Sequence, residues 1–196
     1  MRLKTELPHS SFLSVEKDME IIVNCLLNNN RLKRLLFYTT PDALDKPDIT
    51  DEQTIEMIGK QIKNIPKVQI DKELLNYVII SFDNFTETSN PEFRDNTISF
   101  DIICHFDQWQ LKDFKLRPYK IAAEIDSLIN DKKMSGIGRI QFVGASQIVL
   151  NDEFAGLTLI YKAVHGGEDK YNLPNPNEQE KFDEDYQKML KALGNG

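Results

Sequence analysis

From Thr97 to Asp107 apolar and polar residues alternate, with Ile98, Phe100, Ile102, Cys104 and Phe106 set against Thr97, Ser99, Asp101, His105 and Asp107. A period of two belongs to a strand with one dry face, so the pattern predicts a long strand over 93–108 in which only Ile103 is out of phase. Residues 75–85 are apolar on both faces and predict a central strand. Between them, 86–92 carries the turn signal Asn90–Pro91, so the two strands are expected to form an antiparallel hairpin. A second hairpin is predicted from 139–150, bent at Gly144, and 156–165, connected through 151–156. Leu157, Leu159, Tyr161 and Ala163 share one face of its second strand.

Elsewhere the period is helical. Ser14 is the expected N-cap of a helix with Glu16 and Asp18 in its first turn and Val15, Met19, Ile22 and Leu26 as its stripe. Asn28–Asn29–Asn30 should end it through a left-handed cap. A shorter helix is expected over 31–37, with a turn opened by Thr40–Pro41 and limited by Pro47. Thr50 and Gln53 form a capping box for a helix with Ile55, Ile58 and Ile62 inward, stopped by Asn64 and Pro66. A short strand is expected at Val68–Ile70. Pro118 suits the first turn of a helix whose stripe is Ile121, Ala122, Ile125, Leu128 and Ile129, with Gly136 and Gly138 beyond its end. The order predicts an α+β fold, a mostly antiparallel sheet of two long hairpins packed with helices. The domain is expected over 1–166, with a helical insertion at about 30–66. Residues 167–177 read as a linker and 178–196 as a C-terminal amphipathic helix.

A hydrophobic content of 40% and a charged content of 28% are ordinary for a globular chain. The net charge of −7 argues against a binder of nucleic-acid phosphates. The basic run Arg31–Lys33–Arg34 reads as the wet side of a helix. No stretch approaches the ~20 apolar residues that span a bilayer, and the N-terminal residues lack the apolar core of a secretion signal. Cys25 and Cys104 lie in apolar segments without ligand-like spacing, as buried thiols of a reducing compartment would. Synthesis in a cytoplasm, away from membranes, is the expectation.

His105 and Asp107 share a strand face with Asp101, and His165 is a further histidine of the sheet. An H-x-D pair can hold a divalent metal and serve a metal-dependent hydrolase. Two fixed ligands fall short of a metal site, and polar residues on the exposed side of a strand explain them as well. His105 directly follows Cys104 and so points to the opposite face, which precludes a Cys–His nucleophile pair. No G-x-S-x-G turn is present, and neither Gly136-x-Gly138 nor Gly166–Gly167 completes a phosphate loop. No catalytic residue, metal or cofactor is expected. The C-terminal stripe, with Phe182, Tyr186, Met189, Leu190 and Leu193 on one side, could fold back, act as a cytosolic adaptor helix, or dock in a neighbouring subunit's groove.

The helix 15–27, strand 77–85, hairpin partner 90–109, helix 118–129 and strands 138–150 and 154–166 together resemble the tail-terminator or tail-completion proteins of tailed bacteriophages and related rings of the head–tail neck. The resemblance covers most of 14–166; the helices of 30–66 and the arm 167–196 depart from it. It implies a non-enzymatic structural protein of the virion, made in the bacterial host's cytoplasm and forming a sixfold or twelvefold ring. Its neighbours would be itself and the adjoining neck, portal-adaptor or tail-tube proteins, with DNA passing the lumen without specific binding. Such a ring closes through a head-to-tail interface. Loops 86–96 and 107–117 supply Phe93, Arg94, Trp109 and Phe114 as expected contact residues, and the C-terminal stripe supplies Phe182, Tyr186 and Leu190.

Overall fold

The computed structural model describes residues 12–64, 75–87, 93–134 and 137–166. Helix α1 is Phe12–Leu27. It begins ahead of Ser14, so Ser14 lies inside the helix and Glu16 and Asp18 fall beyond its first turn. The asparagine run works differently from the expected left-handed cap. Asn29, at φ −96 and ψ 104, is the N-cap of α2 (Asn30–Phe37), its side chain accepting the Leu32 N–H at 2.9 Å.

After a 3₁₀ turn at Ala43–Asp45, α3 is Asp51–Met57, opened by the expected Thr50–Gln53 capping box. It is shorter than the isoleucine spacing predicts. Gly59 takes φ +78 and its N–H reaches the Ile62 carbonyl at 2.9 Å, turning the chain out of the helix. Ile62–Lys63 is therefore strand β1, parallel to Val78–Ile79, and Ile58 is exposed instead of inward. The expected strand at Val68–Ile70 lies outside the described residues.

Strand β2 is Tyr77–Glu87 and β3 is Phe93–His105. Helix α4 is Arg117–Ile129, followed by a small pair, β4 (Lys133–Met134) and β5 (Gly138–Arg139). Strand β6 is Gln141–Val149 and β7 is Phe154–Gly166. Both expected hairpins form, with the bend near Gly144 seen as a register shift between Phe142 and Gly144. They join through β3 and β7, paired antiparallel from Phe93↔Gly166 to His105↔Phe154. The sheet order is β1-β2-β3-β7-β6, so β2 lies inside the sheet between β1 and β3, as expected, and β3 is its middle strand. The fold is α+β, as the pattern predicts.

One face of the sheet meets the helices. Val78 and Ile80, the alternating Ile98, Phe100, Ile102 and Cys104, and Leu157, Leu159, Tyr161 and Ala163 all enter a single core with Ile121, Ile125 and Ile129 of α4. Leu32, Leu35, Leu36, Ala43, Ile49, Met57 and Ile62 belong to that same core, so the 30–66 helices are built into it. Ile103 is out of phase because it serves the other face, in a small cluster with Tyr77, Ile79 and Phe154. Elsewhere that face mixes Ile148 and Ile160 with polar pairs, Thr158 donating to Asp101 at 2.6 Å and Ser99 to Asp83 at 3.2 Å.

Candidate assembly surface

The connection from β3 to α4 is tied down at both ends and lifted in the middle. His105 closes β3, and residues Phe106–Gln108 form a 3₁₀ turn. The Trp109 indole N–H donates to the Cys104 carbonyl at 3.2 Å, and its ring lies 5.7 Å from that of Phe106. At the base, the Arg117 N–H reaches the Trp109 carbonyl at 2.7 Å, and Gln110 bridges Leu116. Leu111 is buried, and its N–H bonds the Lys115 carbonyl at 2.8 Å. Lys112 ties the loop sideways, through its N–H to the Pro41 carbonyl at 3.0 Å and its ammonium to Asp45 at 2.7 Å. That partner raises the lysine's pKa.

Above these ties, Asp113 and Phe114 are adjacent non-glycine residues at φ 58. A phenylalanine in the left-handed region is a steric outlier, and each such residue costs on the order of 1–3 kcal/mol. The result is a Phe114 side chain 92% exposed, on a loop whose base is fixed.

Trp109, by contrast, is half-buried against the core and holds its own loop closed. It is a fold contact. Phe93 and Arg94 open β3, where their backbones pair with Gly166 and His165. Trp109 and Phe114 follow the other end of that strand, roughly 40 Å away at ~3.4 Å per residue. The two expected contact loops therefore lie at opposite ends of the sheet; the side chains of Phe93 and Arg94, and all of Phe182, Tyr186 and Leu190, lie outside the described residues.

The strand spacing that put His105 and Asp107 on one face does not survive, because the strand ends at His105 and Asp107 sits in the 3₁₀ turn. His105 Nδ1 accepts the Asp107 backbone N–H at 3.2 Å, which occupies that lone pair in capping the turn, and the buried ring packs edge-on to Phe154 at 5.2 Å. His165 pairs at the far end of the same ladder, so the two histidines do not converge. Among the described residues no three His, Cys, Asp or Glu side chains converge as metal ligands. No helix among them is long and apolar enough to cross a membrane.

Cys104 is fully buried, and desolvation pushes its thiol up to about 12. Burial also raises Cys25, a half-buried thiol. A thiol whose folded pKa exceeds its unfolded value favours the fold below the unfolded pKa of 9.0 and loses that contribution as pH rises toward about 12. Cys104 is thus expected to resist an aromatic disulfide reagent at pH 8 until denaturant is added, and Cys104→Ala should flatten the loss of stability above pH 9. Immediate labelling of Cys104 in the native protein would contradict its place in the core.

Arg117 carries no signal in the sequence pattern. Its side chain is fully buried and donates to four backbone carbonyls: Gln108 at 2.7 Å, Leu35 at 2.6 Å, Tyr38 at 2.7 Å and Thr40 at 2.8 Å. Burial lowers its pKa. The guanidinium clamps the end of α2 to the base of the Phe114 loop.

A family model described as YomW matches residues 29–163, from the N-cap of α2 into β7 and through all of the 30–66 helices. No curated protein matches the chain.

Proposed function

Because the chain belongs to the YomW family and is phage-associated, we propose that it is a structural, non-enzymatic component of the virion that forms a ring at the head–tail junction, as a tail terminator or connector. The Phe114 loop carries this reading. An anchored, strained loop presenting one aromatic ring is the kind of knob that a head-to-tail interface inserts into the next subunit. Partners would be further copies of the chain, six or twelve to a ring, together with adjoining neck, portal-adaptor or tail-tube proteins. The acidic balance of −7 suits a lumen through which DNA passes without phosphate contacts. Assembly would begin in the host cytoplasm and end at the capsid vertex.

Two single substitutions separate contact from fold. Phe114→Ala should abolish sixfold or twelvefold rings in native mass spectrometry and negative-stain images while leaving the melting temperature unchanged, since the Phe114 side chain touches little of its own chain. Trp109→Ala should instead lower stability by roughly 2 kcal/mol, about half the loss for a fully buried aromatic. Rings that persist in Phe114→Ala would remove the loop from the interface. Antibody labelling of intact particles anywhere but the head–tail vertex would overturn the reading itself.

A further inference from the structure

The outer edge of the sheet offers a second contact. Strand β6 ends the order β1-β2-β3-β7-β6, so among the described residues no strand pairs with its outer side. Its sequence, QFVGASQIV, has no charge and no proline, in a chain that is 28% charged. Bare edges template another strand, and proteins blunt them with charge, proline, bulges or brevity. The opposite edge is blunted: β1 has 2 residues, and beyond it β2 carries Asp83 and a register shift with Asn84 at φ 55. On β6 the one irregularity lies near its start, and Gly144–Val149 continues in unbroken register. Phe142, Val143 and Val149 are 46%, 62% and 71% exposed.

Charge indicates the occupant. The start of β6 adjoins the turn after α4, where the Ile140 N–H bonds the Lys132 carbonyl at 3.0 Å and the Asp131 N–H bonds the Ile140 carbonyl at 2.8 Å. Lys132, Lys133 and Arg139 are exposed there, Arg139 already paired with Asp131. The end of β6 runs into Asp152 and Glu153, both exposed. A second β6 laid antiparallel brings the basic end of each strand to the acidic end of the other, twice. A parallel neighbour would oppose like ends.

We propose that β6 pairs antiparallel with β6 of a second copy of this chain, about a two-fold axis at Gln147. The axis places Ala145 of each copy opposite Val149 of the other and keeps both helical layers on one side of a continuous sheet. This contact is isologous and closed, whereas the ring contact is heterologous. It stands independently of the ring reading.

The test uses the full chain carrying Phe114→Ala, so that mass measurement reads the β6 contact alone. A dimer is expected. Asp152→Lys with Glu153→Lys should weaken it about tenfold or more, exposed pairs turning from attractive to repulsive, and adding Lys132→Glu with Lys133→Glu should restore it. Gln147→Cys should give a disulfide-linked dimer under mild oxidation. Residues opposed across an antiparallel pair have Cα atoms about 4.5–5.5 Å apart, within disulfide reach. A monomer at every concentration, or a dimer indifferent to charge reversal and unlinked through Gln147→Cys, overturns the proposal. Such a failure leaves the ring reading untouched, because Phe114 in the otherwise unmodified chain reports on that separately.

Discussion

Replacing Arg117 by methionine is expected to lower the free energy of unfolding by about 3–5 kcal/mol, because four backbone carbonyls lose their charged donor at once. Methionine fills much of the volume but has no donor. The carbonyls of Leu35, Tyr38, Thr40 and Gln108 would then be left without the guanidinium that now satisfies them, and an unmet buried acceptor costs about 1–3 kcal/mol. No carboxylate among the described residues pairs with this arginine. Its charge is balanced by carbonyl dipoles, among them those at the end of α2, where the helix macrodipole is negative. Lysine should rescue only part of the loss, because a single ammonium cannot span acceptors that a planar fork reaches from Nε and both terminal nitrogens. Urea titration should rank wild type above Arg117→Lys above Arg117→Met, with the midpoint moving at constant slope. A methionine variant within 1 kcal/mol of wild type would mean that the clamp is dispensable.

That clamp shows where sequence reasoning stops. Flanked by Leu116 and Pro118, Arg117 looks like any solvated charge at a helix start, because three of its four acceptors come from residues 35–40 and all are backbone atoms without a side-chain signature. Elements whose information is local were legible: the alternation of β3, the stripe of α4 and the Thr50–Gln53 cap. Where a helical and an extended reading compete over a few isoleucines, one backbone angle decides. Gly59 turns the chain, and Ile62 goes to a parallel strand instead of a helix face. The pairing of β3 with β7 was equally hidden, since each hairpin pattern specifies its own turn but not its neighbour in the sheet. Of the expected contact residues, Phe114 is exposed and Trp109 is half-buried against the core, a difference the pattern does not show because an aromatic that suits an interface suits a core equally well.

Gly156→Ala should be nearly as damaging, costing about 3 kcal/mol or more and shifting the melting temperature down by roughly 6–12 °C for a chain of this size. In the sequence this glycine reads as the end of a turn, but it lies inside β7, opposite Ile103 on one side and Ile148 on the other. A Cβ there would overlap the Ile102 carbonyl oxygen and come within 2.8 Å of its carbon and 3.2 Å of the Ile103 Cα. All three are backbone atoms of the central strand, which cannot retreat without disturbing its ladder with β2. Alanine normally gains on glycine in a strand by restricting the unfolded chain, so the sign of the change is diagnostic. Gly144, with nothing within 4 Å of a built Cβ, supplies the control: Gly144→Ala should be neutral or stabilising by a few tenths of a kcal/mol. Thermal unfolding of the two variants side by side tests the close approach of β3 and β7. Equal stability at both positions would mean that the strands do not meet there, and the union of the two hairpins would have to be redrawn.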